Sequence, residues 1–322
     1  MTIFLDEATV TRLVGMTDAL EATEEVFREA GRRNVTNVPR IRAPLRDGTL
    51  RITAAVLNYR GYYGVKVSST TVFGRNAGRV FCLYKEDGGE LCAIVQVFAM
   101  GALRTGAASG IATRYLANED ASVLGVIGSG RQAKTQVEAI ARVRPIREVR
   151  AFSRSADNRA QFCADITSKL GIDARPVGSA RDAVTGCDVV VTSTTSTTPV
   201  LLGEWLTPGT HINAIGANYE HRRELDSAAV ARAGFIATDD TEQVRYEATD
   251  LVAPVNEGLL SWDRVAPLGD VVAGNIKGRV AKDDITLFKS LGVAIEDVAL
   301  AIRAYEKATA EGIGTPLPNL SG

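Results

Sequence analysis

The sequence predicts an α/β protein in two parts: a parallel sheet wound with helices, and an α+β domain before it. Three observations carry this. From residue 122 onward, short apolar runs alternate with helical patterns, the rhythm of βαβ units. The first such strand runs straight into Gly128-Ser129-Gly130-Arg131-Gln132-Ala133, a G-x-G-x-x-A turn that opens a helix. Between residues 39 and 97 the rhythm differs, with extended runs punctuated by Asp47-Gly48, Arg60-Gly61 and Asp87-Gly88-Gly89, which are hairpin signals. A chain of 322 residues has room for two domains at roughly 100–200 residues each.

Taken in order, residues 17–32 form an amphipathic helix. Ala19, Leu20, Val26, Phe27 and Ala30 recur at helical spacing, and Gly31 ends the pattern. Strands follow at 40–44, 49–56, 62–69, 79–84 and 91–97, read as an antiparallel sheet. Residues 100–117 form a helix whose Gly106, Ala107, Ala108, Ser109 and Gly110 permit close packing. Then come strand 123–127, helix 132–142, strand 148–152, helix 156–170, and strands at 188–192 and 211–215. A last long helix spans 293–310, and the Gly/Pro-rich tail from Gly312 is expected to be loosely held. The expected domains are 1–119, completed by the C-terminal helix within 295–322, and a Rossmann-type NAD(P)-binding domain at 120–294.

Composition excludes several function classes. There are 37 Lys plus Arg against 38 Asp plus Glu, a net charge of −1, so no basic nucleic-acid footprint exists. Four widely spaced Cys and two His offer no metal-ligand spacing, and no metal is expected. The N-terminus lacks a secretory pattern and no apolar run approaches the ~20 residues of a membrane span. The expected setting is cytoplasmic, with neither membrane nor nucleic-acid partners.

The Gly-rich turn has a physical reading. Gly128 permits the tight turn, Gly130 lets backbone approach a pyrophosphate, and Ala133 keeps helix against strand. The helix N-terminus offers N–H groups and partial positive charge to phosphates. The second strand ends at Phe152-Ser153-Arg154-Ser155. NAD enzymes commonly carry an acid there for the ribose 2′-OH. Its absence, with Arg154 able to pair with a 2′-phosphate, leans to NADP and leaves NAD open.

Several further segments stand in a fixed order: Gly64-Val65-Lys66, Leu103-Arg104-Thr105, His211-Ile-Asn-Ala-Ile-Gly216-Ala217, Arg223-Glu-Leu-Asp226 and Phe288-Lys-Ser290-Leu291-Gly292. With the Gly-rich turn, this order resembles the ornithine cyclodeaminase/mu-crystallin family over nearly the whole chain. That family comprises cyclodeaminases, alanine dehydrogenases of archaeal type, ketimine and pyrroline-carboxylate reductases, and mu-crystallin. The resemblance implies a nicotinamide cofactor, a small 2-imino, 2-oxo or amino acid as substrate, and a homodimer paired through the first domain.

Residue by residue, the resemblance implies that Arg40 holds the substrate carboxylate, Lys66 stands beside the reacting carbon, and Arg104 lies near both carboxylate and cofactor. Ser129, Arg131 and Gln132 match pyrophosphate contacts, and Ser153 and Arg154 the adenosine ribose. Thr192, Ser193 and Thr194 match a cofactor loop. Ala214, Ile215, Gly216 and Ala217 would lie near the nicotinamide, with Arg222 also on the cofactor side. Ser290 and Leu291 would serve the nicotinamide amide and the substrate. Asn218 stands where cyclodeaminases and archaeal-type alanine dehydrogenases carry Asp, and an amide cannot act as a carboxylate base.

That departure favours imine reduction over the ammonia-releasing cyclodeaminase alternative. A third alternative, a non-enzymatic binding protein like mu-crystallin, is opposed by the retention of Lys66 and Arg104. Lys66, desolvated and beside two arginines, is expected to have a lowered pKa and to exchange a proton near neutrality. Arg40, Arg42, Arg51, Arg104 and Arg222 exceed what one carboxylate needs. This makes iminosuccinate, reduced to aspartate, one candidate substrate.

Overall fold

The computed structural model describes residues 2–71 and 79–318. It divides into two compact units, one of Met1–Arg104 with Gly292–Gly322, the other of Thr105–Leu291. The division falls inside a helix, after Arg104, rather than at residue 119; on the return it falls at Gly292 rather than 295.

The first unit holds β1 (Ile3–Leu5), α1 (Glu7–Leu13), α2 (Met16–Gly31), β2 (Val35–Leu45), β3 (Gly48–Leu57), β4 (Tyr62–Thr71), β5 (Arg79–Lys85) and β6 (Leu91–Gln96). The start of α3 (Phe98–Leu116), all of α11 (Ala294–Glu311) and β15 (Thr315–Pro316) complete it. Among the described residues, the sheet order is β15-β1-β6-β5-β4-β3-β2. The hairpin strands are antiparallel as expected, but β1 adds to β6 in parallel. The tail expectation is corrected: Thr315 and Pro316 pair antiparallel with β1, so backbone hydrogen bonds hold this part of it.

One sheet face is covered by α2 and α11. Period-two alternation places Thr53, Ala55 and Leu57 of β3, Gly64 and Ser68 of β4, and Phe81 and Leu83 of β5 there, all buried. Gly64 is required: a Cβ on it would sit 2.2 Å from Phe81 Cζ. The opposite face carries an apolar row in cross-strand register, Ile41–Ile52–Val67–Val80. Ile41 is 54% exposed, Val67 41% and Val80 38%.

The second unit holds the rest of α3, then β7 (Val123–Ile127), α4 (Arg131–Val143), β8 (Glu148–Phe152), α5 (Ala156–Leu170), β9 (Asp173–Pro176), α6 (Ala180–Val184), β10 (Val189–Thr192) and β11 (His211–Ala214). It continues with α7 (Ser227–Arg232), β12 (Phe235–Thr238), α8 (Val244–Glu247), α9 (Thr249–Asn256), β13 (Val265–Pro267), α10 (Leu268–Val272) and β14 (Thr286–Lys289). The strands lie parallel in the order β13-β12-β14-β11-β10-β7-β8-β9. The central strands β7 and β10 are buried on both faces and read as nearly unbroken apolar runs, whereas β8 and the edge strand β9 carry charged residues. In β10, Val189 and Val191 enter one core and Val190 the other. The small-residue stretch of α3 packs as expected: a Cβ on Gly106 would come within 2.5 Å of Thr135 O.

Strand order reverses between β7 and β10. From β7 the chain builds outward through β8 and β9, then returns to β10 on the other side of β7. Ligands of such sheets bind outside the carboxyl ends of the strands at this reversal.

Candidate functional site

In the second unit, the loops after β7, β10 and β11 meet at that reversal. Gly128 has φ +116°, and a Cβ on it would lie 2.3 Å from Ser193 O, so glycine is required twice over. Gly130 is the N-cap of α4 with no side-chain cap, and a Cβ there would meet open space. Uncapped N–H groups facing an open cradle are what a pyrophosphate needs. Ala133, fully buried, keeps α4 against the sheet. These residues fit a dinucleotide.

The neighbouring groups follow. Ser129 Oγ donates to Ser153 Oγ at 2.9 Å, tying the turn to the end of β8. Arg154 is exposed beside it. Ser155 is committed to capping α5 through the Asn158 N–H. Arg159, four residues after Ser155, donates to Ser153 O and lies over the Phe152 ring at 5.4 Å. Arg131 and Gln132 open α4.

Loops 192–194 and 214–217 are joined by a side chain that the sequence reading did not single out. Glu224, fully buried, accepts from Thr192 Oγ1 at 3.0 Å, Thr194 N at 2.6 Å, Thr194 Oγ1 at 2.7 Å and Gly216 N at 2.7 Å. Ala214 and Ala217 are buried, Ile215 nearly so, and Asn218 is half-buried. Arg222 lies over the Tyr219 ring at 4.9 Å. Ser290 Oγ and Leu291 N donate to Asp239 Oδ2 at 3.1 and 2.7 Å, which positions that segment from the end of β12. His211 opens β11 and bonds Thr286 Oγ1 through Nδ1 at 2.9 Å; burial and then Arg279 push its pKa down to about 3, so the imidazole stays neutral.

In the first unit, three of the candidate substrate residues, Arg40, Lys66 and Arg104, come together, while Asn218 and Leu291 belong to the second unit. Lys66 Nζ, from β4, is ion-paired with Asp297 Oδ2 of α11. Arg104 Nη1 meets Glu296 Oε2 at 2.8 Å, and Arg104 Nε meets Asp297 Oδ1 at 3.2 Å. Arg40 donates to Gly292 O. Gly292 has φ +74°, and a Cβ on it would sit 2.3 Å from Arg104 Nη1, so only glycine lets the chain turn here beside the guanidinium. Lys66 registers against Thr53 and Phe81. The next row on the same face is Arg42–Arg51–Ser68–Arg79, so the cation surplus of the first strands faces the same side as Lys66.

The electrostatics follow from burial. Burial lowers the Lys66 pKa to about 8; Asp297 opposes this, while Arg104 and Arg40 add to it. Burial alone would raise the Asp297 carboxyl, but Lys66 and Arg104 outweigh it and hold that carboxyl below its ordinary value. Sequence reasoning missed Glu296 and Asp297. Acids in the first turn of a helix are ordinary complements to its dipole, and nothing local separates those two from that role.

Among the described residues, no cluster of His, Cys, Asp and Glu could hold a metal ion, and no helix is long and apolar enough to cross a membrane. Alanine dehydrogenase of Archaeoglobus fulgidus is 37% identical over 325 residues, covering 98% of this chain and 98% of that one. The solved Δ1-pyrroline-2-carboxylate reductase of Thermococcus litoralis, in complex with NADH and L-proline, matches with TM-score 0.94 and 34% identity over 98% of this chain and 100% of that one. The iminosuccinate reductase of Paracoccus denitrificans, in complex with NAD+, matches with TM-score 0.93 and 30% identity over 98% and 99%. The model of the ornithine cyclodeaminase/mu-crystallin family matches residues 1–312, and the motifs and fold agree with it from the first strand to the last long helix: the chain belongs to the ornithine cyclodeaminase/mu-crystallin family.

Proposed function

We propose that this protein is an NAD(P)H-dependent reductase that converts a small 2-imino acid to the amino acid. The observation that carries this is the Lys66–Asp297–Arg104 cluster, a largely buried ammonium held near pKa 8 beside guanidinium groups. The nicotinamide, when bound, supplies the hydride for the C=N carbon. Arg40 and Arg104 offer planar forks to the substrate carboxylate. Lys66 Nζ–H donates to the imine nitrogen as it becomes an amine, and Asp297 favours the protonated lysine before that transfer. Gly128, Ser129, Gly130, Arg131, Gln132 and Ala133 hold the pyrophosphate. Ser153 and Arg154 take the adenosine ribose, and loops 192–194, 214–217 and 290–291 hold the nicotinamide half.

A dicarboxylic imine such as iminosuccinate is the favoured substrate. Arg42 and Arg51 are directly paired across β2 and β3, one row from Lys66 on its face, where a second carboxylate would find a cation pair. For the cofactor, Ser153 in place of an acid and the exposed Arg154 favour NADPH.

One assay tests both. Oxaloacetate plus ammonia, pyruvate plus ammonia, and Δ1-pyrroline-2-carboxylate are compared by kcat/KM, with NADH and NADPH oxidation followed separately. Oxaloacetate plus ammonia should win by about tenfold, the value of one good charge-assisted contact. A cyclic or apolar imine reduced tenfold faster sinks the dicarboxylate. Arg154→Ala should raise KM for NADPH far more than for NADH; equal effects on both would remove the 2′-phosphate contact.

The exposed row Ile41–Ile52–Val67–Val80 supports a homodimer built on this sheet face, since an apolar strip across four strands is a face for a partner. Sedimentation equilibrium should give twice the chain mass for the wild type and the chain mass for Ile41→Arg. A monomeric wild type would refute this interface.

A further inference from the structure

The proposed reaction leaves a buried ionic group of the second unit without a role. Glu224, Asp250 and Lys289 are each fully buried in the second unit. Lys289 Nζ, at the end of β14, pairs with Asp250 Oδ2 of α9 at 2.8 Å. The other oxygen of Asp250 accepts the backbone N–H of Glu224 at 2.7 Å and of Leu225 at 3.0 Å. This fixes the backbone from which the Glu224 side chain projects. That carboxylate then takes four donors, from Thr192, Thr194 and Gly216, at the carboxyl ends of β10 and β11.

The geometry serves position more than stability. A buried carboxylate carries a desolvation cost, and apolar replacements of buried ion pairs are often neutral or stabilising. Burial indeed pushes the Glu224 carboxyl above its ordinary value, against the Lys289 ammonium and the Thr194 donors. What the group provides is a shared anchor. One oxygen takes both the backbone and hydroxyl of Thr194; the other takes the hydroxyl of Thr192 and the N–H of Gly216, so two loops on adjacent strands cannot shift independently. Gly216 is matched to it: a Cβ there would lie 2.5 Å from Glu224 Oε1 and 2.2 Å from Thr194 O. Thr192 is fully buried and its hydroxyl is spent on Glu224, so its side chain acts through that carboxylate rather than by touching a ligand.

We propose that Glu224 is a positioning residue for the nicotinamide cofactor, holding loops 192–194 and 214–217 in the shape that binds it. This rests on the reading of those loops as cofactor-holding. Fluorescence titration with NADH and with NADPH tests it on the full chain. In Glu224→Gln the amide turns an N–H toward donors that were meeting an oxygen. Its Kd for the cofactor that the wild type binds more tightly should rise about tenfold or more, the value of a hydrogen bond to a charged group. At saturating cofactor, kcat should stay within about threefold of wild type, because no group that touches the reacting atoms has changed.

Thr192→Val and Thr192→Ser separate positioning from packing. Thr192→Val removes the donor at constant shape and should raise the Kd about fivefold, while Thr192→Ser keeps the hydroxyl and should stay within about twofold. These two variants decide the matter if Glu224→Gln does not fold. A folded Glu224→Gln protein that binds within twofold of wild type overturns the proposal, even if its melting temperature falls. So does a Thr192→Ser loss as large as that of Thr192→Val. A wild-type protein that binds neither cofactor overturns the cofactor reading itself, which is a different result from wild-type binding left intact in the variants.

Discussion

Lys66→Met is expected to lower kcat for imine reduction by ~10²-fold or more, the usual contribution of a positioned acid. Methionine keeps the length and the apolar contacts of the stem but removes the ammonium that meets Asp297. Cofactor affinity should be nearly unchanged, because none of the residues assigned to the cofactor is altered. The pH profile supplies a second signature. With the lysine titrating near pH 8, the wild-type reductive rate should be full below that value and fall above it as the donor is lost. Asp297 favours the charged lysine, so Asp297→Asn should lower the lysine pKa and move the falling limb to lower pH. Steady-state kinetics across pH 6–10 check both. A Lys66→Met enzyme within a few-fold of wild type, or a limb that Asp297→Asn leaves in place, would refute the assignment.

Arg104→Met should be the most destabilising change at the site, by about 3–5 kcal/mol, the cost of removing one partner from a buried ion pair. Its guanidinium meets both Glu296 and Asp297, whose side chains are at most 1% exposed. With Arg104 gone, Asp297 keeps Lys66, but Glu296 loses the cation it faces. The deficit should narrow as pH falls. Lys66 and Arg104 hold the Asp297 carboxyl below its ordinary value, so the wild type keeps that stabilisation at pH 5 and loses it only as pH falls below the ordinary carboxylate range. Without the guanidinium the same carboxyl sits higher, and the variant recovers by taking up the proton. Urea unfolding at pH 5 and pH 8 measures the difference; a loss below 1 kcal/mol at pH 8 would contradict the buried pairing.

The Gly-rich turn was legible because its demands are local. A positive φ at Gly128 and open space over Gly130 are properties of a few consecutive residues. The long helices were legible for the same reason: periodicity placed α2, α4, α5 and α11 within a residue or so of their observed ends. Three short strands late in the chain were not. β12, β13 and β14 are only three or four residues each, too brief for any period to declare itself. The strand pairing of the tail was likewise hidden, since Thr315 and Pro316 are extended only because β1 is there to receive them.

The candidate site divides the same way. Lys66 and Arg104 stood out as cations in apolar and small-residue settings, a contrast visible within a few positions, while Arg40 was reached only through the family resemblance. Asp297 and Glu224 did not: their partners lie 231 residues away at Lys66, and 8 to 32 residues away at Gly216, Thr194 and Thr192. By itself the sequence determined the architecture, the cofactor turn and the cations, because periodicity, glycine placement and side-chain charge are properties of neighbouring residues. Only the tertiary structure decided which carboxylates meet those cations and loops, because a buried charge takes its partner from whatever the fold brings within about 3 Å, at any separation along the chain.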